Sequence, residues 1–180
     1  VNIGRFSMAK AQHYTIRAFA KLRVKHANVR LLLVGEGPEQ ARCEQLCRDL
    51  GIADDVVFAG FCEDVVPAYA AAEIHVLTSL REGLPSVAVE ASLSRVPTVA
   101  FEVDGIHEIV THGKTGYVVA QGDVDALVEG VQKLLDDGGK RRLFGVEAFG
   151  WAIERWNHHK MVSDLDVLYQ NMLKGSHEQT

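Results

Sequence analysis

Glu82 and Glu90, with Gly-Leu-Pro-Ser-Val-Ala-Val between them, are the residues best placed to do chemistry in this chain. The apolar run Ile74-His-Val-Leu77 ahead of them reads as a buried strand, and Pro97-Thr-Val-Ala-Phe101 behind them as the next. Glu82 then falls in the connecting loop. Glu90 lies two turns along a helix opened by Pro85, whose missing N–H is no loss at the first helical position. Gly83 and Leu84 carry no capping group, so the amides of Ser86 and its neighbours are free to hold an anion. A helix capped by Ser86 and starting one residue later is the plainer alternative. Two carboxylates beside an anion-friendly turn suit a polyol gripped by acids next to a phosphate gripped by amides.

Arg5 and Lys10 follow the first strand, at a helix start whose dipole favours acids. Ser7 can cap that helix itself, so a cationic pair there reads as a clamp for a diphosphate, with Gly4 leaving room for the ligand. Solvated surface charge is the ordinary alternative. Glu90, on an apolar helix, is costly if buried unpaired, so it either meets an arginine or accepts hydroxyl hydrogen bonds. Glu108 reads as a helix-opening residue, and Gly35-Glu-Gly-Pro38 lacks the third glycine of a dinucleotide fingerprint.

The elements that must hold these residues alternate. Strands are expected at Val1–Ile3, Val29–Val34, Val56–Phe58, Ile74–Leu77, Thr98–Phe101 and Tyr117–Val119, short and uninterruptedly apolar as strands covered on both faces should be. Helices are expected along Ala11, Tyr14, Ala18 and Leu22, over Glu39–Leu50 and Asp64–Ala72, and through Val124–Leu135 behind an Asp123 cap. Another spans Met161–Leu173 and is expected to bury Val162, Leu165, Tyr169, Met172 and Leu173, leaving Gly175–Thr180 as a disordered tail. The pattern predicts an α/β fold, a doubly wound, Rossmann-like parallel sheet with helices on both faces. Its ligand crevice would lie outside the carboxyl ends of the strands, where five successive loops carry glycine or charge.

With 180 residues and 47% hydrophobic content, one domain over residues 1–174 is expected. A net charge of -5 argues against a nucleic-acid surface, and no apolar run is long enough for a membrane span. The start in a strand-like Val1-Asn-Ile-Gly predicts no leader, and Cys43, Cys47 and Cys62 predict no disulfide framework, so a reducing, cytoplasmic setting is expected. No metal is expected. Asp123-Val-Asp125 reads as a helix start, Asp164-Leu-Asp166 as a solvent-facing pair, and His158-His159 lacks a third ligand.

Glu82-Gly-x6-Glu90-Ala resembles the Glu-x7-Glu signature of retaining glycosyltransferases of the two-domain GT-B fold, family 4 (group 1). So do Ile3-Gly-Arg5…Lys10, Leu33-Val-Gly-Glu-Gly-Pro38, Val57-Phe-Ala-Gly60, Ala71-Ala-Glu-Ile-His-Val-Leu-Thr-Ser79, Pro97-Thr-Val-Ala100, Asp104-Gly-Ile-His-Glu108 and Gly113-Lys-Thr-Gly-Tyr117, in the family's order. The resemblance covers roughly residues 1 to 135. It implies the C-terminal, donor-binding half of such an enzyme, with an N-terminal acceptor domain absent and a C-terminal helix that reaches back toward it. Arg5 and Lys10 would neutralise the diphosphate of a UDP-sugar or GDP-sugar, Glu90 would hold the ribose hydroxyls and Glu82 would face the sugar. Backbone amides of Leu84, Pro85's neighbours Ser86 and Val87 would cradle sugar and diphosphate, with Gly4 beside them; Gly35, Phe61 and Cys62 would line the base pocket. Implied chemistry is metal-free retaining transfer of a hexose-type sugar to a glycan, lipid-linked or small-molecule acceptor, as in polysaccharide biosynthesis, helped by cations and amides at the leaving diphosphate. Any membrane contact, at the inner face, would come through the absent domain, and this chain alone would transfer nothing efficiently. A nucleotide-sugar epimerase or sugar phosphorylase half, and a non-catalytic nucleotide-sugar module, are the alternatives. The sequence departs from the family at Arg95 and Ala11, which replace common glycines, at His107, which replaces a proline, at Pro85, where a second glycine is common, and at His158, where an aromatic is frequent.

Overall fold

The computed structural model describes residues 1–177. Six short strands, β1 (Asn2–Ile3), β2 (Leu31–Val34), β3 (Val56–Phe58), β4 (His75–Leu77), β5 (Thr98–Phe101) and β6 (Gly116–Val119), are separated by helices. All observed pairings are parallel: β1 with β2, β2 with β3, β4 with β5, and β5 with β6. The two three-stranded halves meet at Val1, whose N–H donates to the Ile74 carbonyl (2.7 Å) and whose carbonyl accepts from the Val76 amide (2.9 Å). Asn2 adds a side-chain bond to the Val76 carbonyl at 2.8 Å. The resulting spatial order is 3-2-1-4-5-6, and the reversal falls between β1 and β4. Ligands of such sheets bind at that reversal, on the carboxyl side.

Helices α1 (Gln12–Arg23), α2 (Gln40–Asp49) and α5 (Val124–Leu135) cover one face, α1 sharing cores with both of the others. α3 (Val66–Ala70) and α4 (Ser86–Leu93) cover the other, through Tyr69, Ala88 and Ala91. Burial on both faces is what the uninterrupted apolar strands require: β5 is buried at all four positions. Leu33, Phe101, Leu127 and Leu134 are fully buried, and each such side chain stabilises the fold by about 2 kcal/mol. Asp123 caps α5 as expected, accepting from the Ala126 amide at 2.9 Å.

Four local expectations need correction. Of α6 (Gly138–Arg155) the sequence indicates only an end beside His158-His159, because its four glycines break the helical pattern. One of them is a packing requirement, since a Cβ on Gly145 would stand 2.2 Å from the Arg95 carbonyl oxygen. α7 runs from His158 to His177, through the start of the expected tail, while residues 178–180 lie outside the described ones. Its Val162, Leu165, Tyr169, Met172 and Leu173 are exposed by 41–65%, not buried. Ser7 does not cap α1: its carbonyl accepts from Lys10 and Ala11, forming a separate turn, and α1 begins after Ala11. Pro85 precedes α4 at the cap position, so Ser86 is the first helical residue and no side chain caps the helix.

Candidate functional site

The carboxyl ends of β1 to β5 deliver all of the sequence-predicted residues to one rim. Gly4 and Arg5 leave β1, Gly35 leaves β2, and Phe61 and Cys62 follow β3. Glu82 follows β4, leading into Leu84, Pro85 and α4, which carries Ser86, Val87 and Glu90. These loops are fastened to one another. The Gly35 amide donates to the Gly60 carbonyl at 2.7 Å, the Gly4 amide to Val34 at 2.9 Å, and the Leu80 amide to the Ala9 carbonyl at 2.7 Å. Gln121 of the β6 loop reaches the Leu80 carbonyl at 2.9 Å.

Lys10 and Glu82, seventy-two positions apart, meet at the reversal point, with Nζ 2.5 Å from Oε1. The pair is largely enclosed, the side chains being 27% and 11% exposed. The Lys10 stem passes beside Gly4, its methylenes 3.6–3.8 Å from where a Cβ would stand, which is ordinary contact distance. Behind the pair runs a buried polar chain: Thr78 donates to the Ala11 carbonyl at 3.2 Å and lies 2.9 Å from the Thr15 hydroxyl. Ala11 sits in left-handed backbone (φ 47°), a conformation costing a non-glycine residue roughly 1–2 kcal/mol. Arg5 is exposed, and among the described residues its guanidinium has no ion-pair partner; its carbonyl is held by Gln12 Nε2 at 3.0 Å.

Glu90 meets a hydroxyl and, among the described residues, no arginine. The Tyr69 hydroxyl donates to the Val87 carbonyl at 2.7 Å and lies 3.5 Å from Glu90 Oε2. Burial, then the Glu90 charge, pushes the Tyr69 pKa well above its ordinary value, so it remains a neutral donor. At the start of α4 the Ser86 and Val87 amides find no acceptor among the described residues, while Ala88 bonds back to Pro85 at 2.9 Å. A helix start of that kind is an anion cradle. The β5 loop closes on it: a Cβ on Gly105 would stand 2.4 Å from the Gly83 carbonyl oxygen. Glu108 ends a short 3-10 turn after Gly105, and its carbonyl accepts from the Trp151 indole at 3.1 Å. Phe61 is 72% exposed on the β3 loop, and its amide lies 3.4 Å from Glu36 Oε1.

Gln12 and Tyr69 are the site residues that sequence reading missed. Gln12 is buried among apolar neighbours on α1, and Tyr69 is the one large side chain of an alanine-rich helix. Each was a signal of a buried polar atom needing a partner. The remaining suspects are structural. Asp123 is a cap and Asp125 pairs with Lys21 at 2.5 Å. Asp164 pairs with Lys160, and Asp166 accepts from Gln170. Among the described residues no group of three or more His, Cys, Asp or Glu could hold a metal ion. Arg95 lies over the Phe149 ring at 4.4 Å, and His107 pairs with Glu102 at 2.7 Å. A cavity of about 750 Å³ lies at the opposite, amino end of the sheet, lined by residues such as Leu22, Asn28 and Ala72.

Comparison with known proteins gives this rim a family. Residues 1–151 match the family described as Glycosyl transferases group 1. N-acetyl-alpha-D-glucosaminyl L-malate synthase of Bacillus anthracis is 33% identical over 174 residues, spanning 97% of this chain and 45% of that protein. A GDP-mannose-dependent phosphatidylinositol monomannoside mannosyltransferase of Mycolicibacterium smegmatis is 36% identical over 165 residues, spanning 87% and 43%. The Anabaena protein HepE, crystallised with UDP, superposes with a TM-score of 0.88 at 27% identity, over 94% of this chain and 48% of its own. This chain therefore spans about half the length of the curated relatives it matches, and its Rossmann-like layer is one half of the GT-B architecture. Because the match starts at β1 and carries every rim loop with it into α6, the chain belongs to the group 1 glycosyl transferases.

Proposed function

We propose that this chain is the donor-binding half of a retaining, metal-independent glycosyltransferase, which moves a hexose-type sugar from a UDP- or GDP-sugar to a glycan, lipid-linked or small-molecule acceptor. The observation that carries the reading is the meeting of Lys10 with Glu82 at the strand-order reversal, beside the uncapped start of α4. Arg5 and Lys10 hold the diphosphate, assisted by the Ser86 and Val87 amides. Glu90, steadied by Tyr69, takes the ribose hydroxyls, and Glu82 faces the sugar. Leu84 and Pro85 shape the sugar side, and Gly35, Phe61 and Cys62 the base side. Negative charge grows on the departing nucleoside diphosphate as the glycosidic bond breaks, so fixed cations and amides at that point lower the barrier most. The UDP bound by HepE and the GDP-mannose named for the mycobacterial relative support a nucleotide-sugar donor.

A second half of similar size, binding the acceptor, completes the cleft in this reading. The relatives' length supports it. A cytoplasmic setting, at the inner membrane face through that other half, belongs to the same proposal; no described helix is long and apolar enough to cross a membrane. Calorimetric titration of UDP, GDP, UDP-glucose and GDP-mannose into this chain tests the assignment. Binding of one base, weakened at least tenfold by Arg5→Ala and by Glu90→Ala, is expected. No heat with any of the four would overturn nucleotide binding and favour an interaction module without turnover, and binding indifferent to both substitutions would refute the site.

A further inference from the structure

We propose that Glu82 is a specificity residue that biases the rim against the bare nucleoside diphosphate and toward the sugar-bearing donor, by holding Lys10. This rests on reading the rim as a nucleotide-sugar site. Glu82 holds the Lys10 ammonium, on a backbone that is itself hydrogen-bonded. The Lys10 stem lies against Gly4, its amide and carbonyl are fixed by Ser7 and Thr78, and its ammonium is 2.5 Å from the Glu82 carboxylate. A diphosphate reaching Lys10 therefore meets an ion pair of no net charge, with the exposed Arg5 and Arg81 as nearby cations that have no ion-pair partner among the described residues. It also comes close to a carboxylate that is only 11% exposed, where solvent screens repulsion poorly.

Repulsion of this kind separates product from donor. In a nucleotide sugar the outer phosphate is a diester with one negative charge. Once the sugar has gone, that phosphate is terminal and gains a second ionisation near pH 6. The extra charge appears at the end of the diphosphate where the sugar was attached, the end Glu82 faces. Glu82 thus weakens the product more than the donor, and speeds its departure.

Glu82→Gln removes the charge and keeps the shape; Glu82→Ala serves as the second variant if the amide perturbs folding, and thermal melts verify both. The affinities of UDP and UDP-glucose, and of GDP and GDP-mannose, are measured by calorimetry at pH 7.5 for wild type and variant. For the base that binds wild type, the variant is expected to bind the bare diphosphate about tenfold more tightly. The sugar-bearing partner should gain clearly less, so the ratio of the two affinities shifts. Unchanged or weaker binding of the bare diphosphate overturns the inference while leaving the site assignment intact, as does an equal gain for both ligands. If wild type binds no nucleotide, the site assignment fails and this inference with it.

Discussion

Gly35→Ala tests how tightly the loops after β1 and β2 are registered at the rim. Gly35 has φ +130°, and a Cβ there would lie 2.2 Å from the Gly4 carbonyl oxygen and 2.8 Å from its carbon. An ordinary contact needs about an ångström more. Both atoms are backbone, so no side chain can swing aside. Three terms follow. The backbone strain costs roughly 1–3 kcal/mol. Parting the loops weakens the Gly4–Val34 and Gly35–Gly60 bonds, at about 1 kcal/mol each. Stiffening the unfolded chain offsets this by about 0.4–1 kcal/mol. The net loss is roughly 2–5 kcal/mol, a large share of the roughly 5–15 kcal/mol that holds a domain folded. Gly51→Ala is the control: its φ is +67° and nothing lies within 4 Å of the new methyl, so only strain acts and the loss stays near 1 kcal/mol. Urea unfolding of both variants measures the difference. Because the displaced loop carries Gly4, Arg5 and Lys10, a misplacement of about an ångström should also cost nucleotide affinity severely. If the two variants lose equal stability, the close approach of the loops is not a constraint and the reasoning fails.

Two further outcomes are expected. His75 is fully buried, and burial first, then the positive charges of the chain start and Lys10, hold its pKa down at about 3 against an ordinary 6.5. Between those values only the unfolded chain takes up the proton, so stability is retained above pH 6.5 and drains away as pH falls toward 3. Wild type should lose about 1.4 kcal/mol per pH unit relative to His75→Gln below pH 6, and parallel urea midpoints for the two proteins would contradict this. Cys43 and Cys47 are buried, and burial pushes their thiols up to about 11. A disulfide reagent at pH 8 should therefore label Cys62 quickly in the native protein and the other two only after denaturation; rapid labelling of all three would count against that core.

The sequence determined the strand–helix alternation and the rim. Val124–Leu135 has the helical period and an aspartate cap, so its bounds and cap are those observed. That Glu82, Glu90, Arg5 and Lys10 share one edge of the sheet was legible, because they follow strands that run parallel. Apart from its end, α6 was not legible: Gly145 is dictated by the nearness of the Arg95 carbonyl, a contact between distant segments that no local period records. The α7 stripe misled for the opposite reason, since an amphipathic period states that a face wants cover and not that cover exists in this chain. Only the tertiary structure decided that Lys10 and Glu82 form a pair, that Tyr69 and not an arginine stands by Glu90, and that Gln12 holds the Gly4–Arg5 turn. Those contacts join residues up to seventy-two positions apart and depend on where β1 and β4 come to lie side by side. Local periodicity fixes which face of each element is buried, whereas the site is made where separate elements meet.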